Sequence, residues 1–228
     1  KAEFKYPTKV DLPGYNPTVK GHLGQIKKML RLMENAKKPV IYMGGGVVIS
    51  GANEEMTKVS ELTGIPVISS FLGQGAVGTR FSDRSTGRLD GFVPDATIAH
   101  IDVDPSSISK NVKIDVPIVG DVKAVLKQAL SEIEKYNWDK NLAARKDWMA
   151  KIKAWDKKQP FGYDRKSDII KPQYVVESIY KVTKGDAIIC TEVGQNQTWA
   201  GQFYKFKEPR QFISSGGLGT MGYALPDA

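Results

Sequence analysis

The chain has 228 residues, of which 41% are hydrophobic and 25% are charged, as in an ordinary globular protein. No apolar run approaches the roughly 20 residues that a membrane helix needs, and the N-terminal segment KAEFKYPTKVDLPGY lacks the apolar core of a signal peptide. The net charge of +8 does not indicate nucleic-acid binding, because the lysines alternate with acidic and apolar residues along helical stretches. A site for a phosphorylated cofactor is compatible with this charge.

The sequence contains one cysteine and two histidines. Cys190 excludes an internal disulfide and is typical of a reducing compartment, so we expect a cytoplasmic protein. Its apolar surroundings, DAIIC, predict a buried structural thiol rather than a nucleophile. His22 and His100 alone are too few for a metal site of the His or Cys kind.

The first half of the chain alternates helical and strand-like segments. Residues 1–19 contain several prolines and little periodicity, which predicts a linker. Apolar residues at helical spacing predict a helix over 22–36. The strand PVIYMGG, the turn GGGVVISG, a helix that Asn53 caps and Gly64 ends, and the strand IPVIS then follow.

The alternation continues through the strands ATIAHIDVDP and DVPIVGD and the helix VKAVLKQALSEIEKY. Strands alternating with helices predict an α/β fold with a doubly wound parallel sheet. Residues 138–158 form a Lys- and Trp-rich helical stretch, in which Trp148 and Trp155 share one face. We interpret this pair as packing rather than binding.

A second α/β unit begins near Lys171. Its predicted elements are the helix KPQYVVESIYKVT, the buried strand GDAIICTEV, the helix NQTWAGQFYKF, the strand PRQFISS and a helix that begins near the end of GGLGTMGYALPDA. Because a sheet of two strands is not stable alone, we expect this unit to be the first part of a larger domain.

Three segments of the first unit carry candidate ligand-binding residues. Gly44–Gly46 follow a strand, but the next strand ends in Ser69–Ser70 without the acidic residue of an NAD site. Arg80 and Arg84 flank Asp83; they are either a clamp for a diphosphate or a surface ion-pair cluster. A further set follows two later strands, at the edge where α/β sheets bind ligands: Asp102, Asp104, Gly120 and Asp121. Of these, Asp104 is equally consistent with a helix cap or turn.

The second unit has two candidate segments. TEVGQNQTWA places polar side chains at a strand-to-helix turn, namely Glu192, Gln195, Asn196 and Gln197. SSGGLGTMGYALP places Met221 between glycines, where the backbone can approach a ligand and the thioether can cover a bound ring.

Several of these segments together resemble the catalytic large subunit of acetolactate synthase, or acetohydroxyacid synthase, in the thiamine diphosphate-dependent family. They are PVIYMGGGV, GTRFSDRSTGRLDGF, HIDVDPSSISKNVKIDVPIVGDV and TEVGQNQTWAGQFYKFKEPRQFISSGGLGTMGYALP. The resemblance implies a linker at 1–19, a central FAD-binding-type domain at 20–130, a helical linker at 131–169 and the N-terminal part of a pyrophosphate-binding domain at 170–228.

The resemblance also implies cofactor-binding residues. Those expected to line FAD are Gly44, Gly45, Gly46, Gly78, Thr79, Arg80, Arg84, Ser85, Asp102, Val103, Asp121 and Val122. Those expected to contact thiamine diphosphate are Val193, Gly194, Gln195, Asn196, Gly219 and Met221. Met221 and Gln195 are the expected catalytic residues, with Met221 holding the cofactor bent.

The implied reaction is decarboxylation of pyruvate and condensation with a second 2-keto acid, in branched-chain amino acid biosynthesis, with Mg²⁺ bound and FAD in a structural role. The expected partners are a second copy of the chain, as a homodimer or homotetramer, and a small regulatory subunit. Two alternatives are another 2-keto acid carboligase or lyase of the same superfamily and a non-catalytic FAD-binding module.

The sequence departs from the family pattern in several places. The domain with the activating glutamate and the segment with the Mg²⁺ ligands are absent, so we expect this chain to be inactive alone. Asn196 replaces a frequent histidine, and Asp227 replaces a small residue. The family has a loop, a helix and a strand between GQGA and GTRF. Because a parallel crossover needs a dozen or more residues, we predict a numbering gap between Val77 and Gly78.

Overall fold

The computed structural model describes residues 17–70, 87–158 and 161–228. Six short strands alternate with eight helices in these parts of the chain. The strands are β1 Ile41–Met43, β2 Val67–Ser69, β3 Ala99–Asp102, β4 Val116–Val119, β5 Ile189–Thr191 and β6 Phe212–Ser214. The helices are α1 Leu23–Asn35, α2 Gly46–Ile49, α3 Asn53–Thr63, α4 Val122–Ile133, α5 Leu142–Lys158, α6 Pro172–Thr183, α7 Gln195–Phe203 and α8 Ala224–Asp227.

The strands pair in parallel, as the alternation of strands and helices predicts. Within the described residues, β1 pairs with β2, β3 with β4 and β5 with β6, in three separate two-stranded sheets. The α/β class is therefore confirmed, whereas one continuous, doubly wound sheet remains a prediction.

Two local predictions are corrected. Asn53 is the first residue of α3 rather than its cap, because Ala52 occupies the cap position and no side chain bonds the helix start. The segment GGGVVISG is not only a turn, because Gly46–Ile49 form a short helix, α2. The prediction for the end of α3 is confirmed: Gly64 adopts a φ of 64°, a left-handed conformation that glycine accepts without strain.

The main core lies between α1, α3, α4 and the strands of the first unit. Residues of α1 and α4 at helical spacing are almost fully buried and pack beside Val116 and Ile118 of β4. The members of this core from α1 and α4 are Ile26, Met29, Leu30, Val125, Leu126, Ala129 and Ile133. In α1, the apolar spacing that predicts the helix also includes its buried residues.

Arg145 of α5 connects three elements although only 3% of it is exposed. Its Nη2 donates to the carbonyls of Met33 and Glu34 in the last turn of α1, at 2.6 and 3.1 Å. Its Nη1 donates to the carbonyls of Thr63, at the end of α3, and Trp138, at 3.0 and 3.1 Å. A cation placed here satisfies carbonyls that lack helical partners and interacts favourably with two helix dipoles. Burial lowers the pKa of the guanidinium.

The two tryptophans of α5 pack as expected. The rings of Trp148 and Trp155 meet edge to face with 5.6 Å between centroids, and Trp148 Nε1 donates to the Pro39 carbonyl at 3.1 Å.

Cys190 lies in β5 but is only half-buried, so the expectation of a buried thiol holds in part. Across the described residues, no helix combines the length and apolarity that spanning a bilayer requires.

Glu177 of α6 anchors the segment that precedes this helix. Arg165 donates to both carboxylate oxygens of Glu177 at 2.7 Å, and the Tyr163 hydroxyl donates at 2.8 Å. The bonds from Arg165, with a smaller contribution from Tyr163, lower the pKa of Glu177 from 4.5 to about 2. The charged form of Glu177 is therefore stabilised only in the folded state.

We predict that Arg145→Met lowers the free energy of unfolding by about 3 kcal/mol or more, because four backbone carbonyls each lose a hydrogen bond from the guanidinium. Lys146→Met is the matched control, since Lys146 is the exposed neighbour on the same helix. Urea titration followed by circular dichroism measures both. Equal midpoints for the two variants would show that the Arg145 contacts contribute nothing to stability.

We predict that the stabilisation from Glu177 is fully present above pH 4.5 and is lost as the pH falls towards about 2, because its folded pKa is depressed. Arg165→Ala should therefore lower the melting temperature near neutral pH and narrow the difference from wild type in acid. Lys166→Ala, which removes the neighbouring charge, is the control. An Arg165→Ala defect that is independent of pH contradicts this prediction.

Candidate functional site

The glycine triplet after β1 forms the first part of the candidate site. Gly44 and Gly45 are buried, and Gly46 begins α2 with space around it for a Cβ. Since α2 has only four residues, its dipole is too small to make an anion site by itself. The triplet therefore allows a ligand to come close to the backbone, but it is not a phosphate-binding site at a helix N-terminus.

Asp102 and Asp121 lie at the ends of the paired strands β3 and β4. Gly120 N donates to the Asp102 carbonyl at 2.9 Å, which places the two aspartates at one edge of this sheet. Asp102 Oδ1 accepts from Asp104 N at 2.9 Å, and Asp121 Oδ1 accepts from Ala124 N at 3.0 Å as the cap of α4. Each aspartate thus holds its own turn.

Asp104 is a cap, one of the two roles that its sequence context allows: its side chain accepts from Ser106 N at 2.9 Å at the start of a short 3₁₀ turn. Val103 beside it is 51% exposed, and Val122 begins α4. An exposed valine next to a carboxylate at a sheet edge presents an apolar surface to any ligand bound there.

Lys123, which no sequence motif indicated, connects the start of α4 with the loop after α2. Its Nζ donates to the Gly51 carbonyl at 2.8 Å, which joins the start of α4 to the loop after α2. Helix α2, which Gly46 begins, and helix α4, which Val122 begins, are also in contact. One sequence signal for this residue was available: Lys123 lies in the first turn of a helix that starts at a candidate ligand-binding edge. The predicted residues Gly78, Thr79, Arg80, Arg84 and Ser85 lie outside the described residues.

The second candidate region lies at the carboxyl end of the β5–β6 pair. Thr191 of β5 pairs with Ser214 of β6, so the segments that follow these residues leave the sheet side by side. The first contains Val193–Asn196, and the second is residues 215–222, which we call the Met221 loop. The structure therefore brings together the two motifs that the sequence analysis singled out.

The start of α7 presents polar groups at this edge. Gly194 has φ 146° and ψ −168°, a conformation that residues with a Cβ rarely adopt, and it turns the chain from β5 into the helix. Gln195 and Asn196 are exposed at the first helical positions. Asn196 Oδ1 accepts from Gln197 N at 2.5 Å, while Gln197 Oε1 accepts from Ser214 Oγ at 3.4 Å. Gln197 therefore faces β6 rather than a ligand.

The Met221 loop is a compact turn. Gly219 N donates to the Ser215 carbonyl at 2.8 Å, and Ser215 Oγ donates to the Thr220 carbonyl at 2.5 Å. Gly222 N donates to the carboxylate of Glu192. Gly219 and Gly222 both have positive φ, at 77° and 74°, so the loop needs glycine on each side of Met221. The Met221 side chain is left 77% exposed.

The local chemistry fits a ligand that has both an anionic group and a flat ring. Nine residues of α7 provide a helix N-terminus for an anion, and Met221 provides an exposed apolar surface. Thr191 Oγ1 is buried at the same strand end and has no hydrogen-bond partner among the described residues. Such an orphan hydroxyl is satisfied when a polar ligand or water reaches it. The described residues contain no group of three or more His, Cys, Asp or Glu side chains arranged to hold a metal.

Comparison with known families identifies the class. The model "Thiamine pyrophosphate enzyme, central domain" matches residues 26–77 and 75–129. The model "Thiamine pyrophosphate enzyme, C-terminal TPP binding domain" matches residues 192–228, which include both segments at the β5–β6 edge. The chain belongs to the thiamine pyrophosphate enzymes.

Within this class the chain is similar to acetolactate synthases. It is 41% identical to the acetolactate synthase large subunit of Buchnera aphidicola subsp. Schizaphis graminum, over 260 residues that cover all of the chain and 45% of the relative. It is 40% identical to the isozyme 3 large subunit of Escherichia coli K12, with the same coverage, and 39% identical to the acetolactate synthase of Mycobacterium leprae, of which it covers 42%. The chain thus spans less than half the length of these curated relatives.

Two features of the comparisons concern the predicted gap. The aligned stretch of 260 residues is longer than the 228-residue chain, so at least 32 aligned positions have no residue of this chain. The central-domain match also breaks into two parts, which meet at residues 75–77. Both findings support the prediction of a missing segment beside Val77–Gly78, a junction that lies outside the described residues.

Proposed function

We propose that this chain is part of an acetolactate synthase large subunit and that its β5–β6 edge contacts thiamine diphosphate. The observation that carries this proposal is the convergence of Val193–Asn196 with the Met221 loop at the ends of two paired strands. The similarity to acetolactate synthases along the whole chain gives the reaction class.

Two kinds of contact bind the two parts of the cofactor. The first-turn amides of α7, with Gln195 and Asn196 beside them, bind the anionic part through hydrogen bonds and the helix dipole. At Val193 and Gly219, the backbone of the chain comes close to the cofactor. Met221 supplies an apolar surface against the rings, and its exposed thioether loses contact with water when a ring covers it.

Thiamine diphosphate supplies, when bound, a carbon centre that accepts the electron pair released in decarboxylation of a 2-keto acid. The roles of this chain are to bind, to orient and to exclude water. Met221 would orient the rings, because its backbone is held on both sides. Gln195 would present its exposed amide from the first position of α7.

The remaining predictions belong to the same proposal. FAD is held at the edge formed by Gly44–Gly46, Asp102–Val103 and Asp121–Val122, within a doubly wound central domain. Mg²⁺ accompanies the diphosphate with ligands from elsewhere in the enzyme. The working enzyme is cytoplasmic, forms dimers or tetramers and binds a small regulatory subunit. The four-part division of the chain at residues 19, 130 and 169 is part of the proposal as well.

A titration followed by nuclear magnetic resonance tests the cofactor site. We predict that thiamine diphosphate with Mg²⁺ shifts the backbone amide signals of Gly194, Gln195, Asn196 and Gly219 in the full-length protein that contains this chain, while amides of the α1–α4 core stay unchanged. Thiamine without its diphosphate should shift the α7 signals less, because it lacks the anionic group that the helix N-terminus binds.

Asn196→Ala and Lys205→Ala are matched variants for this titration. Asn196→Ala should weaken the shifts at the start of α7. Lys205→Ala removes an exposed side chain beyond the C-terminus of the same helix and should leave them unchanged. Shifts that spread evenly over the surface, or none at the β5–β6 edge, would show that the edge is not the cofactor site.

A further inference from the structure

Glu192 stands directly after β5 and makes a contact that crosses the candidate site. Its carboxylate accepts a hydrogen bond from the backbone N–H of Gly222, thirty positions further along the chain. Glu192 is half-buried, and it belongs to neither set of predicted cofactor-binding residues. This bond joins the segment after β5 to the loop after β6.

The peptide groups on both sides of Met221 are held in this way, by different strands. Ser215, just after β6, donates to the carbonyl of Thr220 at 2.5 Å, which fixes the peptide before Met221. Glu192, just after β5, accepts from the N–H of Gly222, which fixes the peptide after Met221. The backbone of Met221 is thereby held at two points while its side chain stays 77% exposed.

The backbone conformation explains why such support is needed. Gly222 has a φ of 74° and no atom within 4 Å of the position of a Cβ, so packing does not hold it there. An unsupported glycine samples positive and negative φ almost equally. A bond from a charged acceptor is stronger than one between neutral groups, and so it selects one conformation of the loop.

We propose that Glu192 is a positioning residue that fixes Met221 at the cofactor-binding edge through the Gly222 amide. The inference rests on the proposed function for the role of Met221, but the contact itself is independent of any ligand. Glu192 does not touch the reacting atoms; it acts through the backbone of the Met221 loop.

Amide hydrogen exchange in the full-length protein that contains this chain, without cofactor, tests the contact. We predict that Glu192→Ala speeds exchange of the Gly222 amide by about tenfold or more, the effect of losing a hydrogen bond to a charged group. Glu192→Gln keeps an acceptor of the same length but not the charge, and its exchange should lie between those of wild type and Glu192→Ala. Glu192→Asp keeps the charge but is shorter by one methylene, and it should resemble Glu192→Ala.

The amide of Ile189, which donates to the Gln211 carbonyl at 2.7 Å between β5 and β6, is the internal control. If its exchange also rises in Glu192→Ala, the strands have separated, and the comparison of Glu192→Asp with Glu192→Gln then decides the question. Equal Gly222 exchange in wild type and the shortened variants, or exchange in Glu192→Gln as fast as in Glu192→Ala, overturns the proposal.

Addition of thiamine diphosphate with Mg²⁺ then separates the two proposals. We expect the Met221 methyl signal to shift less in Glu192→Ala than in wild type and Glu192→Gln, while the Asn196 amide shifts alike in all three. A uniform response of Met221 contradicts the positioning role. If no signal responds even in wild type, the proposed function fails, but the exchange of the Gly222 amide still decides the Glu192 contact.

Discussion

The candidate site depends on the parallel pairing of β5 with β6. Parallel strands place their carboxyl ends at the same edge, so the pairing of Thr191 with Ser214 brings together segments that lie far apart along the chain. Gln211 supports this pairing from the other end, because its buried side chain bonds the backbone at Lys207, Glu208 and Gly185. With the strands apart, neither Gly194 nor Met221 has a defined position relative to the other.

The first unit depends on a different constraint, the termination of its helices. α1 and α3 both end against the guanidinium of Arg145, whose two Nη atoms donate to helix-terminal carbonyls. This cation fixes the ends of two helices that line the core, and Lys123 ties α4 to the loop after α2. The start of α4 and the loop after α2 are therefore held together by a bond from a basic side chain to a backbone carbonyl.

Local patterns were enough to predict most of the elements. Apolar spacing identified α1, α4 and α6, and short apolar runs identified all six described strands, because these signals arise within a few consecutive residues. Asn53 shows the limit: it is a residue type that favours caps, yet the helix begins one position earlier. The separation of the described strands into three pairs also depends on neighbours that local patterns do not specify.

Contacts between distant residues could not be predicted. The glycine spacing and the family resemblance pointed to Gly194 and Met221, but nothing near Glu192 in the sequence indicates that it bonds Gly222. Arg145 likewise resembles any other basic residue of a lysine-rich helix until the ends of α1 and α3 are placed around it. Such bonds are tertiary, and they appear only when the fold is known.

The central claim is that Met221 contacts the rings of thiamine diphosphate. Nuclear Overhauser effects between the Met221 methyl group and the cofactor's ring protons, in the full-length protein with Mg²⁺, measure that contact directly. The account predicts cross-peaks from Met221 to the ring protons and none from the methionines of the first unit. Cross-peaks to another methionine, with none to Met221 while the cofactor is bound, would contradict it.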